Sequence, residues 1–145
     1  MVIEESFPQA SISSAVASTI LVIDDSEADL KHWADTVSSF STNYTVLRAS
    51  DCMTGVKICR DHMVDCVLLD LDMPESGFRG LVELVPSPKH PLIAVIVLTC
   101  LVHPALREIA INNGAYSLLI KQHASAEQLQ LTIQQAIASI KSARL

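Results

Sequence analysis

Apolar positions along this chain follow two alternating rhythms. Short unbroken runs, Thr19–Ile23, Cys66–Leu69, Ile93–Leu98 and Leu118–Ile120, are separated by longer stretches whose apolar residues recur every three or four positions. A short continuous apolar run fits a strand buried on both faces, and recurrence at three and four fits an amphipathic helix. Each run stops at a polar side chain: Asp24 and Asp25 after the first, Asp70 after the second, Thr99 after the third, Lys121 after the last. If the runs lie side by side in one parallel sheet, these five residues meet at the carboxyl ends of the strands, where open α/β sheets bind ligands.

The intervening stretches carry start and stop signals. Thr19–Ile23 reads as the first strand and Ser26 as the cap of a helix to about Phe40, with Leu30, Trp33, Ala34, Val37 and Phe40 on one stripe. Trp33 is expected in the core rather than at the rim facing a partner. Ser41–Asn43 reads as a turn and Tyr44–Ala49 as a second strand. Ser50 or Asp51 then caps a helix to about His62, with Met53, Val56, Ile58 and Cys59 partly buried. Cys66–Leu69 is the third strand. A loop from Met73-Pro74 through Gly77 leads to a short helix over about Arg79–Val85, which Pro86, Pro88 and Pro91 end. Ile93–Leu98 is the fourth strand. Pro104 suits the first turn of a helix ending near Asn113, with Gly114 as its left-handed cap. Tyr116–Ile120 is the fifth strand. Ser125 and Gln128 form a capping box for a last helix that shows Leu129, Ile133, Ala136, Ile137 and Ile140 on one face.

This alternation predicts an α/β fold: a doubly wound (βα)5 parallel sheet covered on both faces. The order 2-1-3-4-5 and a Rossmann-like order both fit it. With 145 residues, half of them apolar, the chain makes one domain. Residues 1–18 are set apart as a flexible N-terminal extension and 19–145 as the ordered domain. The net charge of −6, without a basic stripe, argues against direct nucleic-acid contact. No apolar run reaches the ~20 residues of a membrane span. Glu4 and Glu5 stand where a secretion signal would be basic, so a cytoplasmic protein is expected. The four cysteines lack C-x-x-C spacing and read as thiols, not as disulfide or metal ligands.

Carboxylates beside one ammonium suit a hard divalent cation and a phosphoryl group. In chain order, I-L-V-I-D-D, D-C-V-L-L-D-L-D-M-P, V-I-V-L-T, N-N-G-A and L-L-I-K resemble the receiver domain of two-component response regulators, the chemotaxis-regulator type, from about Thr19 to Ser142. The resemblance implies a flavodoxin-like three-layer sandwich with strand order 2-1-3-4-5. It implies Asp70 as phospho-acceptor, attacking a phosphohistidine on a histidine kinase or histidine phosphotransfer protein. It implies Mg²⁺ held by Asp25 directly, by Asp24 through water, by Asp70 and by the backbone carbonyl of Asp72. Lys121 would pair with Asp70 at rest and with a phosphoryl oxygen afterwards, and Thr99 would donate its hydroxyl to another. Such a protein catalyses its own phosphoryl transfer and dephosphorylation without being a turnover enzyme. It switches an interaction surface, and a receiver homodimer through helix 4, strand 5 and helix 5 is implied. Leu30 is expected as an exposed docking contact one turn above the pocket.

Three positions depart from the family pattern. Gln122 replaces the usual proline after the lysine, so a trans peptide is expected there. Leu118 replaces the aromatic residue three before the lysine. The loop Met73-Pro74-Glu75-Ser76-Gly77-Phe78-Arg79-Gly80 is longer than usual, with Arg79 in place of an acid. Two other readings stand beside the receiver. One is a degenerate receiver acting as a phosphorylation-independent interaction module. The other is a haloacid-dehalogenase-type phosphatase, which Asp70, Asp72, Thr99 and Lys121 imitate. That family needs a further strand-end acid, and beyond Lys121 the chain offers only Glu127, inside a helix.

Overall fold

Continuous apolar runs have nowhere to lie except between two layers of helices. The computed structural model describes residues 17–73 and 77–143 and has this arrangement. Strand β1 is Ser18–Ile23, helix α1 Glu27–Ser38, β2 Tyr44–Ala49, α2 Cys52–Asp61 and β3 Cys66–Leu69. They are followed by α3 Gly77–Leu84, β4 Ala94–Thr99, α4 Leu106–Asn112, β5 Ser117–Ile120 and α5 Ala126–Ala143. The five strands form one sheet in the order β2-β1-β3-β4-β5, and every pairing is parallel. This settles the choice between the two orders in favour of 2-1-3-4-5. Of the extension expected over 1–18, residues 1–16 lie outside those described, and Ser18 belongs to β1.

Alternation along the strands divides the core in two. Leu21, Ile23, Val67, Leu69, Val95 and Val97 face one side and pack against Cys52 and Val56 of α2, Leu81 and Leu84 of α3, and Leu106 and Ala110 of α4. Ile20, Val22, Cys66, Leu68, Ile96 and Leu98 face the other, against Leu30, Trp33, Ala34 and Val37 of α1 and Leu129, Ile133, Ala136 and Ile137 of α5. Trp33 is buried, as expected. Leu30 is buried beside it, which corrects its expected role as an exposed contact: it belongs to the same stripe as Trp33 and Val37. Met53 is also corrected. It is exposed, and α2 buries the small Cys52 and Gly55 instead. A Cβ at Gly55 would collide with the Ile23 side chain, so this helix approaches the sheet too closely for a large residue.

The caps follow the sequence. Ser26 accepts from the N–H of Asp29, Asp51 from Thr54 and Ser125 from Gln128. No cis peptide bond occurs among the described residues, so Gln122 is trans. All four cysteines are thiols, outside any disulfide. Burial pushes the Cys59 thiol up to about 11 and raises Cys66 further, so both are unreactive at neutral pH.

Gly114 ends α4 with φ of 102°, a region that costs little only for glycine. An added Cβ would lie 2.5 Å from Val85 Cγ1 and 3.3 Å from the Pro88 backbone. Gly114→Ala is expected to lower stability by about 2 kcal/mol through backbone strain and overlap together. Urea denaturation of the two proteins side by side checks this, and an unchanged midpoint would contradict it.

Candidate functional site

The parallel ladder itself delivers the polar residues to one edge. At the carboxyl end of the sheet the Asp70 N–H donates to Ile23 O at 3.1 Å, and the Lys121 N–H to Thr99 O at 2.9 Å. Each of these residues is therefore registered one step beyond its neighbour's last strand residue. Three strand-end side chains then repeat one local device. Asp24 Oδ1 accepts from the Ser26 N–H at 2.9 Å, Asp70 Oδ1 from Asp72 at 2.8 Å, and Thr99 Oγ1 from Leu101 at 3.2 Å. These two-residue turns fix each rotamer and stop the strand.

The second oxygens of the two aspartates point at a common centre, the Lys121 ammonium. Nζ donates to Asp24 Oδ2 at 2.6 Å and to Asp70 Oδ2 at 2.9 Å. It also donates to Asp29 Oδ2, in the first turn of α1, at 2.7 Å. The lysine side chain is 9% exposed, Asp24 3% and Asp70 5%, whereas Asp29 is 45% exposed. Burial alone would lower the lysine's pKa, but the hydrogen bonds to Asp24, Asp29 and Asp70 outweigh it and hold the ammonium above its ordinary value. Burial works the other way on Asp24. It raises that carboxyl above its usual range, against the lowering effect of Lys121 and of the Ser26 N–H. The short contacts are those of a charged cluster, and the direction at Lys121 is the one that geometry supports.

Asp24, Asp70 and Lys121 thus come together, and Thr99, fully buried, ends β4, the strand between β3 and β5. Asp25 and Asp72 sit at the same edge with exposed side chains. Asp72 Oδ2 accepts from the Cys100 thiol at 3.5 Å, and Gln122 Nε2 donates to Cys100 O at 3.4 Å, tying the loops after β3, β4 and β5 together. Asp29 was not foreseen. Its signal was an acid on the first turn of the helix that leaves β1, which faces the strand ends. A separate cavity of about 280 Å³, lined by Pro91, Ala94, Ala115, Ser139 and Ile140, lies at the other ends of β4 and β5, away from this cluster.

Three carboxylates surround one ammonium, with two more acids beside them, so the pocket carries excess negative charge on hard oxygen donors. That chemistry fits magnesium. Among the described residues, however, no three acidic, His or Cys side chains stand grouped to hold a metal, and Lys121 bridges Asp24 and Asp70. An open site of few protein ligands and several waters is the arrangement these residues allow.

Fold and site together define a flavodoxin-like α/β protein with an acidic pocket at the carboxyl ends of its strands. The model of the response regulator receiver domain matches residues 20–134, and the chain belongs to that family. This sets aside the phosphatase reading. Protein-glutamate methylesterase/protein-glutamine glutaminase 1 of Myxococcus xanthus (strain DK1622) is 30% identical over 138 residues, which make up 92% of this chain and 38% of that protein. A probable cyclic di-GMP phosphodiesterase of Vibrio cholerae is 28% identical over 71% of this chain and 23% of its own length. The chain therefore spans well under half of the curated relatives it matches. Among solved structures, a response regulator receiver domain protein from Clostridium thermocellum is 32% identical with a TM-score of 0.73, covering 86% of this chain and 98% of that one. The response regulator domain of Thermotoga maritima CheB is 26% identical with a TM-score of 0.73, over 85% and 98%. No helix among the described residues is long and apolar enough to cross a membrane.

Lys121 supplies a pH-dependent share of stability. Its folded pKa lies above the ordinary 10.5, so the contribution is fully present below about pH 10.5 and lost as pH rises through the folded value. Removing the ammonium strands buried Asp24 and Asp70. Lys121→Ala is expected to cost on the order of 3 kcal/mol near neutral pH. Without its cation Asp24 titrates higher still, so the deficit should shrink as pH falls toward about 5. Urea midpoints of both proteins across that range test the claim, and a deficit independent of pH would refute it.

Proposed function

We propose that residues 19–145 act as a phosphorelay receiver, taking a phosphoryl group from a phosphohistidine onto Asp70. The observation that carries this is the placement of the buried Asp70 carboxylate 2.9 Å from the Lys121 ammonium, at the ligand-binding end of the sheet. An Asp70 carboxylate oxygen attacks phosphorus, the N–P bond to the partner's histidine breaks, and its electron pair returns to the imidazole, which takes up a proton. The product is an acyl phosphate on Asp70. Phosphoryl transfer of this kind needs positioning and charge neutralisation more than covalent machinery. Asp25, Asp24 through water, Asp70 and the Asp72 carbonyl would hold Mg²⁺, which neutralises charge on the phosphoryl oxygens when bound. Lys121 and the Thr99 hydroxyl would take the remaining oxygens.

The donor is a histidine kinase or a histidine phosphotransfer protein. The chain acts as an acceptor that is used and reset, not as an enzyme turning over a free substrate. Its output is a change of protein-binding surface, including a receiver homodimer through α4, β5 and α5. The turn bond from the Leu101 N–H to Thr99 Oγ1 gives the switch a direct handle. When the Thr99 hydroxyl reaches for the phosphate, that bond carries the loop before α4 with it.

Asp70→Asn keeps the size of the side chain and removes the nucleophile. With acetyl phosphate and Mg²⁺, intact-mass spectrometry should show one added phosphate on the wild type and none on Asp70→Asn, while circular dichroism stays the same. Incorporation that survives the substitution would overturn Asp70 as the acceptor, and no incorporation into the wild type would make the phosphorylation-independent module the better reading.

The switch prediction concerns place. Beryllofluoride with Mg²⁺ should shift backbone amides of Cys100–Pro104, while Leu118, packed in the core, and Tyr116, at the far end of β5, stay nearly still. Large changes at Tyr116 with a static loop would show that the signal leaves by another route.

A further inference from the structure

An ammonium has three N–H groups and no acceptor. In this protein all three are taken: Lys121 Nζ donates to Asp24, Asp29 and Asp70 at 2.6, 2.7 and 2.9 Å. A phosphoryl oxygen arriving at the pocket finds no free donor on the lysine until one carboxylate lets go. The three carboxylates are not equal candidates. Asp24 and Asp70 are buried, and the other oxygen of each is held in its turn by the N–H of Ser26 or Asp72. Releasing the ammonium from either before Asp70 has bonded to phosphorus would leave charge in a poorly hydrated place. Asp29 is 45% exposed and stands in the first turn of α1. Water and the positive end of that helix would keep its carboxylate stabilised after the lysine leaves.

We propose that Asp29 is a displaceable latch on Lys121. It is a positioning residue that holds the ammonium in a saturated resting cluster and must surrender one N–H before a phosphoryl group can be gripped. This rests on the assignment of Asp70 as acceptor and adds to it a residue that sets how readily the site fills. Two effects act with one sign. Asp29 competes with the phosphoryl oxygen for a donor, and its charge repels an incoming anion. Both disappear in Asp29→Ala. Asp29→Asn removes the charge and keeps an acceptor, and Asp29→Glu keeps both.

The test is a beryllofluoride titration in Mg²⁺, read by the fluorescence of Trp33, one turn further along α1, on the wild type and the three variants. Melting temperatures are measured alongside. Asp29→Ala should bind about fivefold tighter, the scale of a half-exposed ion pair. Asp29→Asn should fall between it and the wild type, and Asp29→Glu should bind as the wild type does. If Asp29→Ala does not fold, the comparison of Asp29→Asn with Asp29→Glu carries the same prediction. Equal or weaker binding by folded Asp29→Ala and Asp29→Asn, with the wild type still responding, overturns the latch and leaves Asp70 as acceptor. Absence of binding in all four proteins overturns both.

Discussion

Lys121 carries one positive charge into a place where three carboxylates already point, and the rest of the molecule is arranged so that it stays there. The residues that meet it come from the ends of β1 and β3 and from the first turn of α1, across β4 from the lysine's own strand. No local preference would bring Asp24 and Lys121 within 2.6 Å of each other across 97 residues of chain. The sheet does so, because β1, β3, β4 and β5 are buried on both faces and can lie nowhere else. The core supplies the stability that lets a crowded acidic pocket persist. In return the ammonium prevents that pocket from being a source of uncompensated charge.

Burial gives the two kinds of group opposite tendencies, and the cluster is poised between them. Asp24, out of water, is drawn toward protonation, and Lys121 resists losing its proton because its neighbours are anions. Replacing one oxygen partner of the ammonium by another leaves this balance nearly intact. Removing the ammonium does not. A site that works by exchanging partners around a fixed charge can therefore change occupants without the fold having to change.

Much of this was legible in the sequence, and the exceptions have physical causes. Asp24, Asp70, Thr99 and Lys121 were visible because each ends a buried strand, and strand ends are set by burial, the strongest pattern a sequence carries. Asp29 was not visible. An acid in the first turn of a helix is favoured by the helix dipole whether or not it touches anything else. Leu30 was misassigned because a docking surface was inferred from resemblance, although its spacing from Trp33, Ala34 and Val37 already placed it in the buried stripe. Met53 failed for the opposite reason. Hydrophobicity suggested burial, but α2 turns Cys52, Gly55 and Val56 toward the sheet and leaves Met53 off that face. Strand order needed the resemblance as well as the pattern, since alternation alone is the same for both arrangements.

The turns at the strand ends link this chemistry to motion. Asp24, Asp70 and Thr99 each accept from an N–H two residues on, so each of these strand-end side chains is also joined to the loop that follows it. For the two aspartates the joined oxygen is not the one that faces Lys121, and a new partner on the facing oxygen leaves the turn in place. Thr99 has only one oxygen. Whatever draws its hydroxyl draws the Leu101 N–H with it, and beyond that lies a loop with exposed Leu101 and Val102 leading into the short α4. Leu118 is packed in the core and offers no ring to swing. Of the three turns, only the one at Thr99 therefore couples the pocket directly to an exposed apolar surface, and a change of partner for that hydroxyl is felt there first.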